Sequence, residues 1–505
     1  MIKATNLTFA YPGCPTALKE INLTISPGSH VAVMGKNGSG KTTLALLLKG
    51  ILRPSLGNVV VDGFDAGKED SRFEIMKRVG IVFQNPDDTI VATTVERELA
   101  FGLENTGVPP QEIQERVDEM LNRFDLETYR HTNPSHLSGG EKQRLALAAV
   151  MIMEPFHLIL DEPTSLLDPW GREQILRWIR DSAQAGATII HITQFAEDAL
   201  LADRLLVLDG SGISGDGSPE KILAGNQRFR TWVTGFSSSK FNDKNRVSSK
   251  GAESHTRCTP VKSESTVTLS LDTVTHRYDR GTPYEKTALS GVALELRSGS
   301  STALMGAAGS GKTTLLEIAA GVTEPTEGRV RVDTRIQRAM AFQFPEDQMF
   351  GDTVETYVAF GPENTGVPQS ELQDVVTCAL EDVGLDAETC RDRDPLTLSG
   401  GEKRRAALAG VLAMNPDVLI LDEPTAGLDW EGMEIVKAFL ENYVKAGGTL
   451  LFSTHDFEMA SSLADRALVL DKGRVEAYGT VSEVFSRSSW ITSVKDSIAS
   501  LVKSS

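Results

Sequence analysis

The chain carries the same three motifs twice, in the same order. GKNGSGKTT at Gly35–Thr43 is followed by LSGGEKQR at Leu137–Arg144 and LILDEPTSLLD at Leu158–Asp168. GAAGSGKTT at Gly306–Thr314 is followed by LSGGEKRR at Leu398–Arg405 and LILDEPTAGLD at Leu419–Asp429. In both copies 24 residues separate the serine of the second motif (Ser138, Ser399) from the glutamate of the third (Glu162, Glu423). One glycine-rich motif recurs by chance. Three ordered motifs repeated at one spacing mean an internal duplication, hence two copies of one domain.

A chain of 505 residues has room for two such copies, each large enough for its own core. The boundaries read as 1–236 for the first domain, 237–265 for a linker, 266–485 for the second domain and 486–505 for a C-terminal extension. The linker SSSKFNDKNRVSSKGAESHTRCTPVKSES is serine-rich and nearly free of large apolar residues, a composition that forms no core and reads as flexible. Within each repeat short apolar runs (VAVMG, HLIL, ATIIHIT) alternate with helical patterns such as TTLALLLKGIL and PPQEIQERVDEMLNRFDL. That alternation predicts an α/β fold with a mostly parallel sheet. The spacing from Lys41 to Gln84 is 43 residues, and from Lys312 to Gln343 only 31. The second repeat is therefore expected to lack a surface hairpin and loop corresponding to VDGFDAGKEDSRFEIMKR.

Composition excludes some roles. No run approaches the ~18 apolar residues of a membrane span, and MIKATNLTFAYP has no basic-then-apolar leader pattern. The expectation is a cytosolic chain whose membrane role, if any, runs through partner subunits. Cys14, Cys258, Cys378 and Cys390 lack metal-type spacing and read as reduced thiols. A net charge of −18 argues against broad nucleic-acid binding.

The chemistry lies in the repeated motifs. Gly35, Asn37, Gly38, Ser39 and Gly40, and in the second copy Gly306, Ala308, Gly309, Ser310 and Gly311, sit in loops able to curl round phosphate oxygens. Lys41 and Lys312 supply positive charge, and the hydroxyls of Thr42 and Thr313 are placed to hold Mg²⁺, with Thr43 and Thr314 beside them. The alternative, a plain glycine turn between strand and helix, leaves the downstream motifs unexplained. Asp161 and Asp422 end apolar strands and reach the metal through its water shell. Glu162 and Glu423 follow them, pointed differently by strand alternation, and can polarise an attacking water as general base. The bland reading of these acidic pairs is capping of a neighbouring helix. Ser138, Gly139 and Gly140, like Ser399, Gly400 and Gly401, precede a helical run and form a second anion surface. Its natural ligand is the nucleotide of the other repeat.

On these motifs both repeats resemble the nucleotide-binding cassette of ABC-type ATPases, over nearly the whole chain outside the linker. The resemblance implies two tandem P-loop cassettes, each with a mostly parallel sheet core, an antiparallel β subdomain and a helical subdomain. It implies head-to-tail pairing within the chain. One ATP then lies between the loop at Lys41 and the signature at Ser399–Gly401, the other between the loop at Lys312 and the signature at Ser138–Gly140. It gives Gln84 and Gln343 the role of sensing Mg²⁺ and water and coupling to partner subunits. It matches Tyr11 and Tyr278 to the aromatic that stacks on adenine, where a lone strand tyrosine would otherwise read as core. It makes His455, 32 residues past Glu423, the switch histidine. The same spacing from Glu162 reaches Gln194, so the first repeat departs from the pattern. His191 aligns with Phe452 inside a strand, where it packs or hydrogen-bonds.

The text around each glutamine, VGIVFQNPDDTIVATTVERELAFGLENTGVP and AFQFPEDQMFGDTVETYVAFGPENTGVP, resembles the paired ATPases of energy-coupling factor (ECF) importers of vitamins and transition-metal ions, as does GTPYEKTAL. That resemblance implies a transmembrane T component and a substrate-binding membrane subunit as partners, and a place on the cytoplasmic face of the membrane. It implies arginine-bearing coupling helices facing Asp87, Asp88, Glu346 and Asp347. An acidic helix N-terminus favoured by its dipole accounts for the same residues. Thr89 stands where glutamine is usual. Two other functions compete: the ATPase of another ABC transporter class, and a soluble twin-cassette ATPase acting on ribosomes or nucleic acid. The serine-rich linker, the unspaced cysteines and the acidic charge disfavour the latter.

Overall fold

The computed structural model describes residues 1–13, 16–165, 167, 169–224, 267–282, 285–343 and 348–492. The expected linker, the acidic pair Glu346 and Asp347, Asp168, Cys14 and Cys258 lie outside the described residues. The chain divides into two units, one around each repeat.

In the first unit, strands β1 (Ile2–Ala10), β2 (Thr16–Ile25), β3 (His30–Gly35), β4 (Leu56–Val61), β5 (Phe64–Asp65), β6 (Val79–Val82), β7 (His157–Asp161), β8 (Thr188–Ile192), β9 (Arg204–Asp209) and β10 (Gly212–Gly217) form two sheets. The smaller is antiparallel, in the order β2-β1-β4-β5. Its strands alternate, with Ile2, Ala4, Leu7 and Phe9 facing the core, as a sheet with one covered face should. The larger runs β10-β9-β3-β8-β7-β6 and is parallel except for its β10 edge. Every residue of β7 and β8 is buried, which explains their unbroken apolar text: a parallel sheet is covered on both faces. Helices Val95–Asn105, Pro110–Arg123 and Gly139–Met151 contribute to a second core around fully buried Phe124. Its ring lies 4.1 Å from that of Trp178.

The second unit repeats this plan with β11 (Val267–Tyr278), β12 (Lys286–Arg297), β13 (Ser301–Gly306), β14 (Glu327–Val332), β15 (Arg338–Ala341), β16 (Val418–Leu421), β17 (Thr449–Ser453), β18 (Arg466–Asp471) and β19 (Arg474–Thr480). The sheet orders are β12-β11-β14 and β15-β16-β17-β13-β18-β19. These are the two P-loop cassettes of mixed sheet and helix that the motifs predicted.

Two differences from the sequence reading have physical causes. The segment absent from the second cassette is more than a hairpin and loop: it comprises β5 and helix Glu69–Arg78, of which only Ile75 is buried. A helix that buries so little apolar surface is easily dispensed with. Arg72, which it carries, donates to the carbonyls of Gly50 and Ile51. In the second cassette Arg338 donates instead to Ala319 O at 2.8 Å. The expected boundary at 485/486 falls inside helix Val481–Arg487, and Ile491 beyond it is fully buried. Trp490 and Phe485 pack on Phe457, so the start of the extension belongs to the second cassette's core.

Candidate nucleotide sites

Parallel α/β sheets bind ligands beyond the carboxyl ends of their strands, and the predicted residues converge there. β3 ends at Gly35, β7 at Asp161, β8 just before Thr193 and Gln194, and β6 just before Gln84. Each glycine loop then feeds a helix, Lys41–Leu48 or Lys312–Ala320, whose preceding residue is left-handed: Gly40 at φ 92° and Gly311 at φ 101°. A Cβ at Gly311 would stand 2.5 Å from Ala288 O, and one at Gly40 2.8 Å from Ala17 O. Both positions therefore require glycine for conformation and for space. Gly311→Ala is expected to weaken ATP binding by roughly tenfold through distortion of the loop. Titration with a fluorescent nucleotide at the second cassette checks this, and unchanged affinity would show that the loop tolerates the side chain.

The lysines fold back over their own loops. Lys41 Nζ donates to Gly35 O at 2.8 Å and Lys36 O at 3.0 Å; Lys312 Nζ donates to Gly306 O at 2.9 Å and Ala307 O at 3.0 Å. Each buried ammonium is thus parked at the centre of the cradle where phosphate charge would sit. Thr42 Oγ1 donates to Asp161 Oδ2, and Thr313 Oγ1 to Asp422 Oδ2, both at 2.7 Å. Burial pushes both aspartates above their usual range, against the opposing hydroxyls and lysines. A hydroxyl and a carboxylate converging on one point are hard oxygen donors of the kind Mg²⁺ takes, with water and phosphate completing its shell. Among the described residues no cluster of three His, Cys, Asp or Glu side chains forms a protein-only metal cage. Tyr11 and Tyr278 stand half-exposed at the loop helices, their hydroxyls 3.3 and 3.1 Å from Thr43 and Thr314 Oγ1. Edge-on contacts with Phe9 and His276 fix the rings there.

Glu162 and Glu423 sit at φ 50° and 51°. A left-handed turn, not strand alternation, therefore swings each carboxylate away from the preceding aspartate. Their surroundings differ. Glu423 Oε1 lies 3.0 Å from His455 Nε2. Burial alone would raise this carboxyl, but His455, Lys312 and Arg404 hold it below the usual carboxylate range, which suits a base that must be ionised. Glu162 accepts from two side-chain amides. Gln194 Nε2 donates to Oε1 at 2.7 Å and Gln84 Nε2 to Oε2 at 3.2 Å. Gln194 Nε2 also lies 3.3 Å from Asn37 Oδ1, a contact that Ala308, Asn37's counterpart, has no atom to make. His191 is fully buried and stacks on His30 at 5.8 Å, away from the switch role.

Ser138 and Ser399 are N-caps of helices Gly139–Met151 and Gly400–Leu412. In each capping box the glutamate accepts from the serine N–H, Glu141 at 2.7 Å and Glu402 at 2.8 Å. The signature's serine and glutamate thus shape the helix end that presents Gly139, Gly140, Gly400 and Gly401. Sequence reasoning missed Arg404 among others. Arg404 donates to the backbone carbonyls of Gln343 and Glu423, the latter at 3.0 Å. Among the described residues nothing hydrogen-bonds the side-chain amide of its buried counterpart, Gln143. The difference between LSGGEKRR and LSGGEKQR was the visible signal.

A sequence profile described as ABC transporter matches residues 18–165 and 289–426, one stretch per cassette. A putative ABC transporter ATP-binding protein of Caldanaerobacter subterraneus subsp. tengcongensis is 32% identical over 95% of this chain and 91% of its own length. A protein of the same description from Bifidobacterium longum is 33% identical over 92% of this chain, which spans 64% of that relative's length. The fold matches an archaeal ribosome recycling factor, aABCE1, solved with the ribosomal stalk protein aP1. That TM-score is 0.65 at 23% identity, covering 97% of this chain and 92% of that one, a likeness of fold alone. The molecule is a twin-cassette P-loop ATPase. The chain belongs to the ABC transporter family of ATP-binding proteins.

Proposed function

We propose that this chain is the ATP-hydrolysing subunit of an ECF-type importer of vitamins or transition-metal ions. It acts at the cytoplasmic face of the membrane with a T component and a substrate-binding membrane subunit. Among the described residues no helix is long and apolar enough to cross a membrane, so on this reading the membrane is reached through those partners. The reading rests on the sequence after each glutamine and, in the structure, on the acidic turn Pro86–Asp88 that follows Gln84. Asp87 there is bonded to Lys142 of the signature helix at 2.6 Å, which links the turn to the phosphate-binding helix. Asp88 carries the remaining acid, and exposed Val91 and Phe101 supply apolar surface nearby in sequence. Thr89 spends its hydroxyl on Pro86 O at 2.9 Å, closing the turn where the family's glutamine is usual.

In this mechanism ATP draws the two cassettes together head to tail, as in the family. Lys41 and Lys312 exchange their carbonyl partners for phosphate oxygens. Thr42 with Asp161, and Thr313 with Asp422, would hold Mg²⁺, which would supply charge neutralisation at the phosphates. Glu423 accepts a proton from the water that attacks the γ-phosphorus, and His455 holds that glutamate and the γ-phosphate in line. Bond cleavage releases ADP and phosphate, and the cassettes separate. The Lys142–Asp87 link carries that motion to the coupling helices.

The test is co-purification from solubilised membranes. Asp88→Lys combined with Glu346→Lys and Asp347→Lys is expected to abolish recovery of a T component while leaving ATP binding intact. Asp87 is spared because its reversal would also face Lys142. A T component recovered in normal amount with the triple variant refutes the docking site.

A further inference from the structure

The two cassettes hold their catalytic loops in chemically different ways, and the difference is buried. Four residues past Gln194 stands Asp198; four past His455 stands Met459. Ten residues past Glu162 stands Arg172; ten past Glu423 stands Met433. Asp198 is fully buried. Its Oδ1 accepts from Arg172 Nε at 3.1 Å and from a terminal guanidinium nitrogen at 2.7 Å. Its Oδ2 accepts from Thr164 Oγ1 at 2.8 Å and Thr193 Oγ1 at 3.0 Å. Thr164 lies two residues past Glu162, and Thr193 immediately precedes Gln194. One carboxylate therefore grips both loops whose side chains, Glu162 and Gln194, meet at 2.7 Å. Arg172 extends the grip, lying 4.1 Å from the Phe195 ring.

His191 and His30 border this network. His191 Nε2 is 3.9 Å from Asp198 Oδ2. Burial pushes His30 down to about 3 and lowers His191 too, so both are neutral and Arg172 balances the charge. Burial alone would raise Asp198, but Arg172 holds it below its usual range. In the second cassette the counterpart hydroxyls, Thr425 and Thr454, donate to the Met459 sulfur, at 3.6 and 3.8 Å, and Thr454 Oγ1 also accepts from the Asp456 N–H at 3.0 Å. A thioether is a weak acceptor, whereas hydrogen bonds to a buried carboxylate are roughly twice as strong as neutral ones. The second cassette instead steadies Glu423 through Arg404, where the first has Gln143.

We infer that Asp198, fixed by Arg172, is a positioning residue for the first site: through Thr164 and Thr193 it holds Glu162 and Gln194 in the arrangement that hydrolysis needs. It compensates there for the missing switch histidine. A glutamine without charge contributes through placement alone, and its placement is what this network sets. A small misplacement of reacting groups costs up to about a hundredfold in rate.

The inference rests on the reading that the first site hydrolyses ATP, and the experiment separates the two. In a Glu423→Gln background the remaining turnover is that of Glu162. Thr193→Val, which keeps the shape and removes the hydroxyl, is expected to lower this kcat about tenfold with KM for ATP changed less than about twofold. Thr193→Ser is expected to restore it. The pair Asp198→Met with Arg172→Met, which installs the second cassette's own side chains without leaving a lone buried charge, is expected to act like Thr193→Val. If Glu423→Gln alone has no turnover, the first site is inactive and the reading that it hydrolyses ATP fails, taking the inference with it. If turnover persists and neither Thr193→Val nor the methionine pair lowers kcat, the inference fails alone. A loss that Thr193→Ser does not restore, or that appears equally as weakened ATP binding, marks a structural role and overturns it as well.

Discussion

His455→Ala is expected to lower the ATPase rate of the assembled complex by one to two orders of magnitude, whereas Gln194→Ala changes it by less than about twofold. The asymmetry follows from what each group gives its glutamate. The His455 ring meets Glu423 at 3.0 Å and, with Lys312 and Arg404, keeps its carboxyl ionised despite burial. A histidine can also hydrogen-bond the γ-phosphate as charge builds on it. Gln194 gives Glu162 one neutral hydrogen bond at 2.7 Å and touches Asn37 with the same nitrogen. Positioning and charge stabilisation make up most of phosphoryl-transfer catalysis, so losing the histidine costs much, whereas losing the amide affects only the slower first site and changes the total little. Gln194→His should raise turnover at the first site. Steady-state phosphate release decides the matter, and equal losses from the two alanine variants would show the sites to be equivalent.

Glu162→Gln with Glu423→Gln is expected to stop hydrolysis while preserving ATP binding, because the binding groups Lys41, Lys312, Thr42 and Thr313 are untouched. Removing a general base costs about 10²–10⁴ in rate. ATP should then accumulate in both sites and keep the cassettes closed. Small-angle scattering of the double variant should show contraction on adding Mg-ATP, at unchanged molecular mass. Contraction that appears only with a doubling of mass would mean pairing between chains, and no contraction would mean that ATP does not close them.

Most of the fold was legible because the duplicated motifs also mark strand ends and helix starts. The unbroken apolar runs HLIL and TIIHI announced buried parallel strands, and Pro110 opening an amphipathic helix announced the helical region. Gln194 was reached by carrying the spacing of the family's switch histidine onto the first repeat. The direction of Glu162 and Glu423 was not, because a positive φ at a glutamate leaves no mark in the sequence. The Arg404 contacts and the Asp198 network were also hidden. Each depends on long-range packing that brings a helix interior against a loop, and a buried arginine or aspartate reads as an ordinary surface charge until its partners are seen. The last turn of the second cassette, through Ile491, was misjudged as extension because serines surround its few apolar anchors.

Two chemically unequal ATP sites on one chain, with hydrolysis carried mainly by the Glu423–His455 side, form the central claim. Comparing Glu423→Gln and Glu162→Gln singly, in the assembled complex at saturating Mg-ATP, tests it most directly. The account predicts that Glu423→Gln removes at least about nine-tenths of the turnover while Glu162→Gln leaves most of it. Equal losses from both, or the greater loss from Glu162→Gln, would contradict it.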